Sequence, residues 1–151
     1  MQGMRQRIGS GAIVVRDGKV LCVRSVWEGD LRWLPPGGRI DDGEGAHRAA
    51  VREAWEETGI RVEAQRVVFV EELVDMDYHL AKFWVLCRDL GGEPTLRNIQ
   101  RGERGRLLDA AFVDEAQARR DGCIQLLEDP RFWADLPLGF PETRYLGVRR
   151  P

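Results

Sequence analysis

Residues 38 to 60, GRIDDGEGAHRAAVREAWEETGI, decide how this chain folds. Within this stretch, alanine recurs at every fourth position, at Ala46, Ala50 and Ala54. Side chains at that spacing share one face of a helix, and a face of small residues suits close packing on a sheet. Gly45 is a weak N-terminal cap, whereas Gly59 suits the left-handed cap that ends many helices. We therefore expect a helix that is held at Gly45 by tertiary contacts and stops at Gly59.

The predicted helix carries three glutamates, Glu53, Glu56 and Glu57. Residues three and four apart are neighbours on a helix, and like charges there repel by a few tenths of a kcal/mol per pair. Only Arg52 lies among these acids to relieve the repulsion. A divalent cation would turn the repulsion into attraction, because carboxylate oxygens are the ligands that Mg²⁺ prefers. The spacing predicts a metal-binding helix, and an ordinary acidic surface helix is the alternative.

The order of the fixed residues is more specific than the number of acids. From Gly38, five residues lead to Glu44 and seven more lead to Arg52, which is followed by Glu53, Glu56, Glu57, Gly59 and Ile60. This pattern resembles the Nudix box of the Nudix (MutT-like) hydrolase family. The one soft departure is Ala54, which is smaller than the aliphatic residue usual at its position. Pro36-Gly37-Gly38, at the start of the box, predicts a turn whose glycines adopt backbone angles closed to other residues and let the chain pass close to a ligand.

The resemblance implies an α+β fold, the Nudix α/β/α sandwich with a mixed central sheet, in a single domain over residues 1–151. It is strongest over 9–113, and residues 114–151 are interpreted from pattern alone. The elements predicted by pattern are a hairpin over 11–25 turning at Asp17-Gly18, a short strand at 31–34, strands at 61–75, 78–90 and 107–113, and a helical segment over 114–134. Pro137 and Pro141 are expected to interrupt the remainder.

Composition narrows the class of protein. The 151 residues carry a net charge of −2 and no basic block, so binding to duplex nucleic acid is not expected, and a small-molecule partner is. Three widely spaced cysteines, an odd number, predict buried thiols and not disulfides or a zinc site. The N-terminal residues lack an apolar stretch of the length that a signal peptide or membrane span needs. We expect a cytoplasmic protein without membrane contact, and a homodimer stays open.

The resemblance also implies a reaction, in which water attacks phosphorus in the diphosphate of a nucleotide or nucleotide sugar. Mg²⁺, with Mn²⁺ able to replace it, would neutralise charge and activate the water. The roles implied for the box residues are metal binding by Glu56, Glu57 and the Gly38 carbonyl, general base or metal ligand for Glu53, orientation of a glutamate by Arg52, and an outer, orienting position for Glu44.

Four residues outside the box are further candidates. Glu103, on a polar loop expected to order only with substrate, is either a second candidate base or a solvated loop acid. Arg24, near the end of a predicted strand, either binds phosphate or faces solvent. Trp33, like Trp27, either stacks a base or packs in the core. Tyr78 falls about where dinucleoside polyphosphate hydrolases of the family have a tyrosine, and an ordinary strand-end tyrosine is the alternative.

Other functions remain open at the level of sequence. The first alternative is a dinucleoside polyphosphate hydrolase, indicated by Tyr78. The second is a Nudix sensor that binds nucleotides without cleaving them, which is disfavoured because sensors usually lose box glutamates and this chain keeps all of them. The third is a divergent member of the family that hydrolyses an isoprenoid or an RNA 5′ end. The RNA substrate is disfavoured because the chain has no basic block.

Overall fold

The computed structural model describes residues 3–27 and 29–150, except for the side chain of Trp27, and one mixed sheet of eight strands lies at the centre of this part of the chain. The strands are β1 Arg5–Arg16, β2 Lys19–Trp27, β3 Asp30–Leu34, β4 Gly37–Arg39, β5 Val62–Val74, β6 Tyr78–Asp89, β7 Leu107–Val113 and β8 Arg144–Arg149. Six follow the order β3-β2-β1-β6-β5-β8, while β4 pairs with β1 and β7 pairs with β2.

The hairpin predicted at Asp17-Gly18 is confirmed. Both residues have positive φ, 52° and 75°, as a tight turn between strands of normal twist requires. The turn sets the register, in which Val15 lies opposite Val20. Beyond this pair of residues the two strands diverge: β1 continues in parallel beside β6, and β2 pairs with β3 and β7. The hairpin therefore joins the part of the sheet that contains β1 and β6 to the part that contains β2, β3 and β7.

The helix predicted from the alanine spacing is also confirmed, as α1 Ala46–Thr58. Gly45 provides no side-chain cap, and the Ser10 hydroxyl donates to the Ala46 carbonyl at 2.6 Å, a tertiary contact at the helix start. At the other end Gly59 is left-handed, with φ 73°, and its N–H donates to the Trp55 carbonyl. A Cβ at Gly59 would lie 2.5 Å from Thr95 Cγ2, so the cap position also requires glycine for space.

Helices cover both faces of the sheet, which gives the expected α/β/α sandwich. Ala50 and Ala54 of α1 are fully buried in a core cluster with Val85 of β6. The opposite face is covered by α2 Glu115–Asp121, α3 Gln125–Glu128 and α4 Pro130–Asp135. Its core contains the aromatic residues Trp33, Phe69, Trp84, Phe132 and Phe140. The cysteines Cys22, Cys87 and Cys123 are buried free thiols, as predicted.

The last third of the chain contains more elements than the pattern predicted. The segment over 114–134 is helical, as expected, but it is divided into three short helices, because Gly122 adopts φ 94° and Pro130 starts a new helix after Asp129. No element was predicted after Pro141, where the structure has β8, which pairs in parallel with β5. In the part of the chain that the structure describes, no helix has the length and apolar character needed to cross a membrane.

Candidate active site

Three carboxylates meet beside the end of α1. Glu53 and Glu57 project from the helix, Glu103 comes from the loop before β7, and each offers an oxygen within 4.8 Å of the others. Glu53 and Glu57 are only 7% and 3% exposed. Three acids this close and this buried repel one another strongly unless protons or a cation neutralise them. We call Glu53, Glu57 and Glu103 the carboxylate cluster.

Local structure fixes Glu103 in place. It is the last residue of the 3-10 helix Arg101–Glu103, where its side chain and that of Gln100 form a capping box. The β7 strand that follows pairs with β2, with Leu107 opposite Ser25, and this pairing carries the loop to α1. Because the Glu103 side chain is 15% exposed, the interpretation as a solvated loop acid was wrong. The expectation that this loop orders only with substrate stays a prediction.

Burial dominates the electrostatics of the two helix acids. It raises the pKa of Glu53 from 4.5 to about 7, although the charge and hydrogen bond of Arg52 act in the opposite direction. It also raises the pKa of Glu57 well above its usual value, and the neighbouring Glu103 and Glu53 raise it further. One contact opposes this shift: the Gly37 N–H donates to Glu57 Oε1 at 2.7 Å. Without a cation, the cluster therefore holds protons near neutral pH.

The glycines before the helix are needed for space and not for unusual backbone angles. Gly37 and Gly38 lie in β4 and are not among the residues with positive φ, so the predicted special turn angles were wrong. A Cβ at Gly38 would lie 2.6 Å from Glu53 Oε1. A Cβ at Gly37 would lie 2.8 Å from the Gly11 Cα. The strand can pass this close to the carboxylates only without side chains, and its close approach to a ligand stays a prediction.

Arg52 links Glu44, outside the carboxylate cluster, to Glu53 within it. Its Nε and Nη2 donate to the two oxygens of Glu44, both at 2.9 Å, and its Nη1 donates to Glu53 Oε1 at 3.0 Å. The bond to Arg52 holds the pKa of the Glu44 carboxyl below its usual value. This geometry matches the orienting positions expected of Arg52 and Glu44, and their part in a reaction stays a prediction.

Glu56 lies apart from the cluster. Its Oε2 accepts from Arg52 Nη1 at 3.2 Å, and the two residues are four apart on the helix. The expectation that Glu56 and Glu57 are the leading ligands therefore differs from the arrangement seen here, in which Glu53 and Glu103 accompany Glu57. Metal binding by Glu56 stays a prediction, and it requires release of the contact with Arg52.

The predicted substrate-binding residues have three different environments. Arg24 lies over the Trp33 ring, 5.5 Å from its centre, and its Nε is buried without a hydrogen-bond partner among the described residues. Trp33 is 2% exposed and donates to Asp121 at 3.1 Å, so its ring packs in the core and has no free face for a base. Tyr78 is partly exposed under the Arg7 guanidinium. The side chain of Trp27 lies outside the described residues.

Lys82 was not predicted as a site residue from the sequence, although it lies beside Gly37 of β4. Its Nζ is 3.0 Å from the position that a Cβ on Gly37 would occupy. In the sequence it appears as one polar residue in an alternating strand, and the pattern carries no signal for a site.

The cluster fits a hard divalent cation. Its donors are carboxylate oxygens from three residues, and the adjacent β4 backbone passes close to them. Magnesium and manganese prefer such oxygen donors, and a cation would offset the burial of like charges. The residues that would hold it are Glu53, Glu57 and Glu103, with the Gly38 carbonyl as the predicted backbone ligand. Such a site can bind and polarise a phosphate group.

Two curated proteins are similar to this chain over most of its length. The curated "Uncharacterized Nudix hydrolase YvcI" of Bacillus subtilis is 30% identical over 104 residues, which are 68% of this chain and 63% of that protein. An RNA pyrophosphohydrolase of Novosphingobium aromaticivorans is 34% identical over 119 residues, 75% of this chain and 66% of that protein. The chain thus spans less than two thirds of either relative.

The fold and the family follow from two further matches. A NUDIX hydrolase structure from Nitrosomonas europaea has the same fold, with a TM-score of 0.70 at 21% identity, and the match covers 99% of this chain and 82% of that one. A family model described as the NUDIX domain matches residues 5–142, a range that includes all three acids of the carboxylate cluster. The chain therefore belongs to the NUDIX domain family.

Proposed function

We propose that the protein is a magnesium-dependent hydrolase that cleaves a diphosphate linkage in a nucleoside diphosphate derivative. The observation that carries the proposal is the carboxylate cluster, in which two buried glutamates of the Nudix box meet the partly buried Glu103. Buried acids at this spacing cost stability, and a protein that keeps them uses them for binding or chemistry more often than for folding. Manganese would serve in place of magnesium, since both accept oxygen ligands.

Each residue of the candidate active site has its own proposed role. The bound cation would supply charge neutralisation at the diphosphate and a more acidic water. Glu53 is our first choice to accept the proton of the attacking water, because a rigid helix holds it; Glu103 is the second. Arg52 holds the Glu53 carboxylate through the bond at 3.0 Å, and the Gly37 N–H holds Glu57. These contacts fix the orientation of both acids before substrate arrives.

Arg24 is proposed to contact a phosphate group. Its buried Nε lacks a partner among the described residues, and a guanidinium suits a phosphate oxygen. An unpaired buried donor destabilises a protein, so a ligand that supplies an acceptor is favoured at this position.

The substrate is proposed at the level of its class. A nucleotide or nucleotide sugar is the first candidate. An RNA 5′ end is the second, and what favours it is the RNA pyrophosphohydrolase of N. aromaticivorans, which matches 75% of this chain. The net charge of −2 weighs against a long RNA, because phosphate contacts need basic surface. A dinucleoside polyphosphate, indicated by Tyr78, is the third, and a nucleotide sensor without catalysis is the remaining alternative. We place the activity in the cytoplasm.

A substrate panel tests the proposal. The protein is incubated with Mg²⁺ and a nucleotide sugar, a dinucleoside polyphosphate or a 5′-triphosphate RNA, and released phosphate is read after coupling to a phosphatase. We expect hydrolysis of at least one compound, dependence on divalent cation, and a large loss in Glu57→Gln. The control is Glu63→Gln, an exposed acid on β5 that should leave the rate unchanged. Binding without turnover would identify a sensor, and equal rates in parent and Glu57→Gln would refute the site.

A further inference from the structure

Lys82 lies on the face of β6 opposite to α1. Its side chain lies over the ring of Trp84, with the Nζ 4.4 Å from the ring centre, and Trp84 belongs to the aromatic core on that face. A Cβ on Gly9 would lie 3.6 Å from Lys82 Cδ, and one on Gly37 would lie 3.0 Å from its Nζ. Because Gly9 and Gly37 have no side chains, the Lys82 side chain has space to extend toward the carboxylate cluster.

The charge of Lys82 is not used by a neighbouring acid. Among the described residues, no carboxylate oxygen lies within 4.0 Å of its Nζ, and it donates no hydrogen bond. Glu71, directly opposite on β5, is already engaged: it accepts from Trp84 Nε1 at 3.1 Å and pairs with Arg149 Nε at 3.3 Å. The charges of Glu57, Glu71 and Glu53 favour the ammonium form from a greater distance, whereas burial lowers the pKa of Lys82.

The position of Lys82 connects it to the cluster through one residue. Gly37 contacts Glu57 through its N–H at 2.7 Å, and the Lys82 ammonium lies against the α-carbon side of the same residue. A ligand held at the carboxylate cluster and extending past Gly37 therefore meets the ammonium. The ligand that bridges a cation and an ammonium in this way is an anion with several oxygens, and a diphosphate has that form.

Composition gives a second, independent observation. Of the 23 basic residues in the chain, 21 are arginine, and the two lysines are Lys19 and Lys82. Lys19 is exposed beside the hairpin turn. The site bounded by Gly9, Gly37 and Trp84 has room for a compact ammonium on an unbranched chain, whereas a planar guanidinium with its fork of donors is larger. Lys82 is therefore the one lysine of the described residues that lies in this crowded environment, in a chain whose other basic residues, apart from Lys19, are arginines.

We propose that Lys82 binds a non-bridging oxygen of the substrate's diphosphate and is a substrate-binding residue of this active site. The inference rests on the proposed function. It places the diphosphate beside Gly37, where one end would contact a cation at the carboxylate cluster and a non-bridging oxygen would contact the Lys82 ammonium. The cation–aromatic contact with Trp84 positions the ammonium, and Glu71 fixes the indole through its hydrogen bond.

A binding experiment with matched lysine variants tests this inference. The probe is α,β-methylene-ADP, a diphosphate that resists hydrolysis at the bridging carbon, titrated calorimetrically into the Mg²⁺-loaded protein. We expect Lys82→Met to bind the probe about tenfold more weakly, which corresponds to about 1.4 kcal/mol. Lys82→Arg keeps the charge but carries a larger head group, so it should recover little of the affinity. The control Lys19→Met removes the other lysine and should bind like the parent.

A spectroscopic readout on the parent protein needs no variant at Lys82. Protein grown with lysine labelled with ¹³C at the ε-carbon should give two signals, and Lys19→Arg, at an exposed residue beside the hairpin turn, assigns both. We expect the Lys82 signal to move when the probe is added to the Mg²⁺-loaded protein, while the Lys19 signal stays. A Lys82 signal that responds to Mg²⁺ alone and not to the probe would show that the lysine only balances the charge of the cluster, and would overturn the inference.

The outcomes separate this inference from the proposed function. If the parent binds the probe and hydrolyses a substrate while Lys82→Met does both equally well, the inference fails and the function stands. If the parent neither binds the probe nor hydrolyses any diphosphate in the panel, the proposed function fails, and the inference fails with it.

Discussion

Replacing Glu53 by glutamine in the metal-free protein tests the physical account of the carboxylate cluster. Glu53 is 7% exposed, and its pKa rises from 4.5 to about 7, chiefly because it is buried. An acid with a higher pKa in the folded chain than in the unfolded chain binds protons preferentially in the folded state. Its contribution therefore lowers stability as pH rises from the unfolded to the folded value. Each pKa unit corresponds to about 1.4 kcal/mol, so the loss above neutral pH is about 3 kcal/mol.

The Glu53→Gln variant removes this penalty because glutamine does not ionise. We expect its free energy of unfolding to match that of the parent near pH 4 and to exceed it by about 3 kcal/mol near pH 9, with the change between 4.5 and 7. Urea denaturation in the presence of a chelator, repeated across this pH range, measures the difference. Glu63→Gln, on exposed β5 surface and paired only with exposed Arg88, is the control and should show a difference close to zero.

The pH dependence of the stability difference between Glu53→Gln and the parent shows whether burial raises the pKa of Glu53. A constant difference between Glu53→Gln and the parent would show that Glu53 ionises normally in the folded protein. A variant that is less stable than the parent above neutral pH would show that the bond from Arg52 outweighs burial. Either result would refute the account of a cluster strained by burial.

Three further predictions follow from the site and its supports. Millimolar Mg²⁺ or Mn²⁺ should raise the melting temperature of the parent by binding the folded state, and much less that of Glu57→Gln; a shift fully retained in the variant would place the cation elsewhere. Glu53→Gln should lower kcat by ~10²–10⁴-fold and Glu103→Gln by less, as expected for loss of a general base; the reverse order would move the base to Glu103, and hydrolysis in ¹⁸O-labelled water would locate the phosphorus attacked. Gly59→Ala should lose more stability in urea than Gly43→Ala, since both glycines have positive φ, 73° and 77°, but only a Cβ at Gly59 meets Thr95, at 2.5 Å; equal losses would show that the contact is unimportant.

The sequence predicted the elements that local chemistry determines. The Asp17-Gly18 turn, the alanine face of α1 and the left-handed cap at Gly59 depend on residues within a few positions of one another, and all three are present. The five predicted strand regions are likewise present, because their apolar residues continue over long enough runs. The family resemblance supplied the layered architecture, which those local patterns alone do not determine.

What the sequence could not predict depends on contacts between distant residues. β8 has an irregular pattern with Gly147 at φ 82°, and it is a strand because the edge of β5 is available for pairing. Glu103 joins the cluster because β7 pairs with β2, and no pattern near Glu103 reports that pairing. Glu56 contacts Arg52 and lies outside the cluster, a choice between side-chain conformations that spacing on a helix leaves open. Lys82 reaches the site only because Gly9 and Gly37 lack side chains.

The division of the carboxylate cluster between α1 and the loop before β7 has a mechanical consequence. A cation bound to Glu53, Glu57 and Glu103 acts as a reversible cross-link between two segments far apart in the chain. By reciprocity, a change that moves the loop away from the helix weakens the binding of the cation. A bound cation opposes opening of the loop by the same free energy. Arg101, Arg104 and Arg106 are exposed on this loop, so the rate at which trypsin cuts there reports how tightly the cross-link is closed. If the proposed cation binds, loop opening and cation release would be coupled, and trypsin cleavage and cation affinity would report the same coupling.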